Sequence, residues 1–436
     1  MIKKYFSPFC LLISIIILIY TFYKSEIYWE GNKRNYYNIY YVISFILIFF
    51  SLLTFKIKNK FKTYLMIISL STIFSLYAFE VYIIYKNRTV LVEKDLKKRT
   101  QIYESKSNKI YDRRSKLEVY NDLVKQNKDI VTTVFPYKFV EKKNLDFFPL
   151  SGISKSKTIN CNESGFYATY ESDRFGFNNP DKEWISEEIE YVIVGDSFAF
   201  GDCVNRPNDI TSVLRNLSNK PALNLAYSGN GPLIEYATLR EFLPKNVKKI
   251  IWIYYGVNDI FELDSESKNN ILSKYLKDKN FSQQLKKKQF ITDKIGKKII
   301  QSNKEGKVDF PFKKFFKIYH TRQSIFKSST AESYSFSLLK RVLKLTKELS
   351  EKNNSKMYFV YLPAYSQYNS KNYDQSNYLK IKKIISELNI PFIDIDKEVF
   401  KKEKNPLELF PFQLPGHFNK TGYKKVAESI YEKTSN

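Results

Sequence analysis

Histidine is almost missing from this chain. Two occur in 436 residues, His320 and His417, so any chemistry that needs an imidazole must use one of them. Cysteine is nearly as scarce, at three. One of these, Cys10, lies in an apolar run, which leaves Cys161 and Cys203. No zinc-ligand spacing occurs. Acidic residues also fall short, 45 against 71 Lys and Arg, for a net charge of +26. That excess is spread along the chain among Ile, Asn, Tyr and Phe, without a single basic recognition helix, so no nucleic-acid partner is expected. Attraction to anionic lipid or to an acidic polysaccharide is a better use of such a charge.

Long apolar runs are plentiful at the N-terminal end. Three occur, at about Tyr5–Tyr23, Tyr37–Phe55 and Tyr64–Tyr85. Each approaches the ~20 residues that a membrane-spanning helix needs. Tyr and Phe crowd their ends, as in an interfacial aromatic belt. Lys3 and Lys4 ahead of the first run also suit a signal peptide, but no small-residue cleavage site follows, so an uncleaved anchor is expected. Lys56, Lys58, Lys60 and Lys62 fill the loop between the second and third runs. By the positive-inside rule that loop faces the cytoplasm, and three spans then place everything after about Lys86 outside it. Lys24, Lys33 and Arg34 weaken this bias without reversing it. Glu80 lies within the third run, near its outer end, and reads as interfacial.

Between about 90 and 185 the pattern changes twice. Leu91 to Asp129 is densely charged and nearly free of Gly and Pro, which predicts helices that form a stalk. A turn-rich segment follows, containing Cys161-Asn162-Glu163-Ser164-Gly165, and is expected to pack on the edge of the next domain. In an oxidising compartment Cys161 and Cys203 are the candidate disulfide.

From 186 onward short apolar runs alternate with helical patterns. The strands expected are Tyr191–Val194, Ala222–Ala226, Lys249–Tyr255, Lys356–Leu362 and Pro391–Ile395. The helices expected are about Asp209–Asn219, Leu233–Phe242, Ser335–Glu351, Tyr378–Leu388 and Asn419–Glu432. This alternation predicts an α/β domain with a parallel sheet covered on both faces. A Lys-rich, helical insertion is expected at about 263–331. Chemistry belongs at the strand ends. Gly195-Asp196-Ser197-Phe198 follows the first strand, and Ser197 there is either a nucleophile or the N-cap of a plain turn. Ser228-Gly229-Asn230-Gly231 follows the second strand and Gly256-Val257-Asn258-Asp259 the third. Gly416-His417-Phe418-Asn419 precedes the last helix.

In this order the four blocks resemble the SGNH hydrolase superfamily, the GDSL-type esterases and acyltransferases. The resemblance covers about Tyr191 to the C-terminus and not the membrane runs. It implies a flavodoxin-like parallel sheet sandwiched by helices, here preceded by three transmembrane helices. It further implies Ser197 as nucleophile and His417 as general base. The backbone N–H groups of Ser197 and Gly229 and the amide of Asn258 would form the oxyanion hole. No metal or other cofactor is implied. The partners implied are the membrane and an acylated, most often O-acetylated, cell-surface glycan or lipid. Hydrolysis, transfer of the acyl group, and silent glycan binding all use the same crevice. Asp196 is expected to brace its turn.

One departure stands out. The family usually carries an Asp two or three residues before the histidine, where this chain has Leu414 and Pro415. A backbone carbonyl, a distant acid (Glu408, Asp394 or Asp396), or weak or absent hydrolysis are the alternatives. His320, in the insertion, lacks the expected surroundings of a base and is read as a lid or substrate contact. The Lys286-Lys287-Lys288 run reads as a solvated face.

Overall fold

A computed structural model describes residues 2–142, 145–304, 312–325, 333–370 and 372–435. The chain divides into two units. One joins Met1–Glu93 to Phe310–Ser328; the other joins Lys94–Asp309 to Ser329–Asn436. Parts of the insertion expected at 263–331, namely 305–311 and 326–332, lie outside the described residues.

The first unit is built on helices α1 (Ile2–Phe22), α2 (Arg34–Lys56) and α3 (Asn59–Tyr85). Three helical stretches among the described residues, Lys4–Tyr28, Arg34–Lys56 and Asn59–Ser107, are long and apolar enough to cross a membrane, the last running on into the second unit. Such runs become helices because a bilayer offers no partner for an open backbone. Phe45, Phe49 and Phe74 point outward. The contact between α1 and α2 uses small polar residues instead: Ser14 Oγ lies 3.0 Å from Ser51 Oγ, and both side chains are buried. Small residues let backbones approach closely where no hydrophobic force separates protein from lipid. Two short helices of the insertion, Phe312–Phe316 and Tyr319–Ile325, also belong to this unit, and the second packs on α3.

The charged stretch enters the second unit at Lys94, through α4 (Leu91–Ser107) and α5 (Lys116–Gln126). Ser115 and Glu118 form a capping box at the start of α5. A small sheet follows, with β1 (Ile130–Thr132) parallel to β2 (Lys157–Ile159) and β3 (Thr169–Glu171) antiparallel to β2.

The main sheet has five strands. They are β4 (Ile189–Val194), β5 (Ala222–Asn224), β6 (Val247–Tyr255), β7 (Lys356–Leu362) and β8 (Phe392–Asp394). All pairs are parallel, in the order β5-β4-β6-β7-β8. This is the flavodoxin-like order, and its crevice opens where β5 and β6 leave β4 on opposite sides. All six residues of β4 are buried, as an apolar strand covered on both faces requires. The expected strands are present, with β5 and β8 ending early. Asn224 stops β5 because its side chain turns back to the backbone, accepting from Ala226 N–H at 2.9 Å and donating to Ala199 O at 3.0 Å.

Candidate active site

Gly195 takes φ +151°, and a Cβ there would stand 2.5 Å from the Ile253 carbonyl, so only glycine lets β4 turn this close to β6. The turn leads into α6 (Ser197–Phe200). Its N-cap is Asp196, whose Oδ1 accepts from the Phe198 N–H at 3.0 Å. The capping role open to Ser197 is therefore taken by its neighbour. The hydroxyl of the half-buried Ser197 is left with one 3.4 Å contact, to Asp196 Oδ2. Burial pushes the Asp196 carboxyl up to about 6.

The other strand ends deliver their residues to the same crevice. Gly229 adopts φ +74°, and a Cβ there would lie 2.4 Å from Cδ1 of Tyr137. The Tyr137 ring thus rests directly on this turn. Asn258 precedes α9 (Asp259–Ser267) and donates its amide to Glu262 Oε1 at 3.1 Å. Burial raises Glu262 to about 8. Below it, Glu266 accepts from the backbone N–H groups of Gly231 at 2.7 Å and Leu233 at 2.9 Å, which fixes the Gly229 loop against α9.

His417 has a carboxylate partner, and the partner is Glu163. Oε1 of Glu163 lies 3.0 Å from Nδ1 of the imidazole, and Oε2 accepts the His417 backbone N–H at 2.7 Å. This replaces the alternatives read from the sequence. Asp394 binds the Tyr378 hydroxyl at 2.6 Å, Asp396 binds Tyr368 at 2.5 Å, and the Glu408 carbonyl caps the side chain of Asn419. None of them partners His417. On the far side of the ring, Nε2 stands 3.7 Å from Oδ2 of Asp202. The Phe198 ring packs on the imidazole at 4.9 Å between centroids. Among the described residues no hydrogen bond joins Ser197 to His417.

A disulfide between Cys161 and Cys203 explains how the acid arrives. It ties the segment carrying Glu163 to the loop carrying Asp202, one residue from Cys203 and five from Ser197. Cys203 Sγ lies 4.0 Å from His417 Nδ1. Asn160 donates to Asp202 Oδ1 at 2.8 Å and Ser228 donates to the same carboxylate at 2.8 Å, so the two segments and the Gly229 turn share one acid. Arg99 of α4 closes the arrangement. Buried, it donates to the carbonyls of Glu163 and Pro415, and its Nε binds Asp95 at 2.6 Å. One guanidinium thus holds both loops of the acid–base pair.

Burial alone would lower the His417 pKa. The charge and hydrogen bond of Glu163, with Asp202 and Asp196 behind, overcome this and push it up to about 9. Burial opposes ionisation of Glu163 as well, but His417 and Arg99 hold it below its ordinary value. Glu163, Cys203 and His417 lie close enough to suggest a metal site. The donor set does not fit one, because the Cys203 sulfur is spent in the disulfide.

The sequence blocks point to Ser197, Gly229, Asn258 and His417: the first three follow β4, β5 and β6, and His417 stands 3.7 Å from Asp202, which Ser228 also binds. Glu163, Asp202, Arg99 and Tyr137 are not found by that reading. For the two acids the signal lay in the cysteines: pairing Cys161 with Cys203 carries Glu163 and Asp202 to the histidine. His320 lies in the other unit.

No family model matches this sequence, and no curated protein does. In three dimensions the chain is similar to G-D-S-L-type esterases. One is a member of the lipolytic protein G-D-S-L family from Veillonella parvula, 12% identical, covering 57% of this chain and 99% of that one with a TM-score of 0.35. Another is an acetylxylan esterase from Geobacillus stearothermophilus, 12% identical, covering 57% and 94% with a TM-score of 0.34. At these values the functional reading rests on the residues of the site.

Proposed function

We propose that this chain is a membrane-anchored serine esterase acting on acyl esters, O-acetyl above all, of a cell-envelope glycan or lipid. The observation that carries the reading is the Glu163–His417 pair, set beside a spare serine hydroxyl at the switch point of the sheet. Ser197 Oγ attacks the ester carbonyl and gives its proton to Nε2 of His417, while Nδ1–H stays on Glu163. The oxyanion accepts from the N–H groups of Ser197 and Gly229 and from the Asn258 amide. The alcohol leaves with the proton from His417. Water then adds to the acyl-enzyme, and the acid is released. The 3.4 Å contact of Ser197 with Asp196 must yield to His417 when substrate binds; such bonds are often long without ligand.

The rim favours a sugar. Tyr137 covers Gly229, Phe135 packs on Tyr137 at 5.6 Å, and the ammonium groups of Lys116 and Lys138 lie 5.4 and 5.3 Å from the Phe135 ring centre. Aromatic faces flanked by cations suit an acidic glycan. The same rim seats a sugar hydroxyl as acceptor, which supports acyl transfer as the second reading. The disulfide suits an oxidising compartment and so an extracytoplasmic sheet unit.

The test offers the full-length chain in detergent an aryl acetate, with and without an acidic glycan. Free acetate supports hydrolysis, and an acetylated glycan supports transfer. If neither forms, or if Ser197→Ala retains the rate, the enzyme reading is overturned. A reporter fused after Asn436 that is active only in the cytoplasm would overturn the proposed orientation.

A further inference from the structure

The insertion between β6 and β7 holds a second docking feature, unrelated to the crevice. Glu80 of α3 is fully buried. Its Oε1 accepts the His320 backbone N–H at 3.0 Å, and its Oε2 accepts the Thr321 N–H at 2.7 Å and the Thr321 hydroxyl at 2.8 Å. One turn earlier on α3, Tyr77 donates to the Phe316 carbonyl at 3.1 Å and packs on the Phe315 ring at 5.2 Å. Arg322 lies over Tyr40 of α2, 5.8 Å from the ring centre.

These contacts fix a depth. The 27 residues of α3 span about 40 Å at 1.5 Å per residue, more than the ~30 Å of a hydrocarbon core. Glu80 is five residues from the end of α3 at Tyr85, about 8 Å along the axis. A carboxylate there needs internal partners, and open backbone at that depth is tolerated only against protein. Glu80 and the 320–321 amides answer both needs at once. The outer face of the same segment is amphipathic: Phe312, Phe316 and Ile325 are each more than 60% exposed, and Lys314 and Lys317 are exposed beside them.

We propose that residues 312–325 enter the membrane interface beside α3, with Phe312, Phe316 and Ile325 among the acyl chains and Lys314 and Lys317 on lipid phosphates. The partner is a lipid surface bearing anionic headgroups, and Glu80 is the latch that holds the segment at that level. Aromatic residues with flanking lysines are the composition of an interfacial anchor.

The test uses the full-length chain with Cys10→Ser, reconstituted in phosphatidylcholine–phosphatidylglycerol vesicles. A fluorophore is placed at F316C, at L379C as an exposed site of the sheet unit, and at F74C within α3. Doxyl-labelled lipid is expected to quench the 316 probe several-fold more than the 379 probe, and more strongly with phosphatidylglycerol than with phosphatidylcholine alone. Glu80→Ala is expected to bring the 316 signal down to the 379 level while the 74 signal stays. Glu80→Gln, which keeps an acceptor, retains most of it. Quenching at 316 no greater than at 379 overturns the proposal. Equal quenching in neutral and anionic vesicles overturns the headgroup contact. An unchanged 316 signal in the Glu80→Ala chain overturns the latch.

Discussion

At the scale of single residues, the decisive contact is the 3.0 Å pairing of Glu163 with His417. A base whose pKa is pushed up to about 9 is mostly protonated near neutrality. Ester turnover at low substrate is therefore expected to climb with pH and level off near that value. Glu163→Gln removes the charge that raises it, so the inflection should move to lower pH and the plateau should fall by about 10²- to 10⁴-fold. A profile unchanged by this substitution would deny Glu163 its role. The same pair bears on stability. The folded pKa of His417 lies above the unfolded value, so its contribution is complete below about 6.5 and is lost as pH rises through about 9. The gap in thermal midpoint between the parent chain and Glu163→Gln should narrow across that window. Asn258→Ala removes one of the proposed oxyanion donors and is expected to cost about 10²- to 10³-fold in kcat, with a smaller change in KM.

At the scale of elements, the Gly229 turn and the disulfide do the positioning. Gly229→Ala meets both a positive φ and the Tyr137 ring. Activity should fall, and Tyr137→Ala should not restore it fully, because the backbone strain remains. Cys161→Ser frees the Glu163 segment from the nucleophile loop. The bridge spans 42 residues of sequence, a loop whose closure is worth about 4 kcal/mol in a chain-entropy account. Thermal unfolding of the oxidised and reduced chains, with aryl acetate turnover measured on each, tests it. Loss of stability with full retention of activity would show that the bridge does not set the acid. These elements also show what the sequence reveals. The five strands and the motifs at the ends of the first three were legible, because apolar runs of buried parallel strands are local signals. Glu163 was not, because its partner lies 254 residues away and a carboxylate carries no mark of its distant contacts. The nearest clue was Cys161, two positions before it. Ser197 was legible as a residue and ambiguous as a role until Asp196 was seen to take the cap. The docking of 312–325 on α3 was likewise invisible, since Glu80 reads as interfacial whether or not another segment meets it.

At the scale of the molecule, the chain passes between the two units three times, after Glu93, Asp309 and Ser328. If the three apolar helices cross a membrane as proposed, full-length protein should stay with it at high salt, since those helices rather than the net charge of +26 would hold it there. Recovery in the soluble fraction at high salt would contradict this. The order in which the site's parts occur has a further effect. Arg99 and Glu163 come before Ser197, the proposed nucleophile, and His417 comes after the whole sheet. A fragment cut at the first strand of the main sheet would keep every residue of the four motifs and yet lose its acid, half of its disulfide and the arginine that clamps the histidine loop. During synthesis, too, the proposed base His417 emerges only after all five strands of the main sheet and both bridged cysteines. The three apolar helices precede all of these residues in the chain, so on the proposed reading the site would be completed only after the membrane-crossing segments had been made.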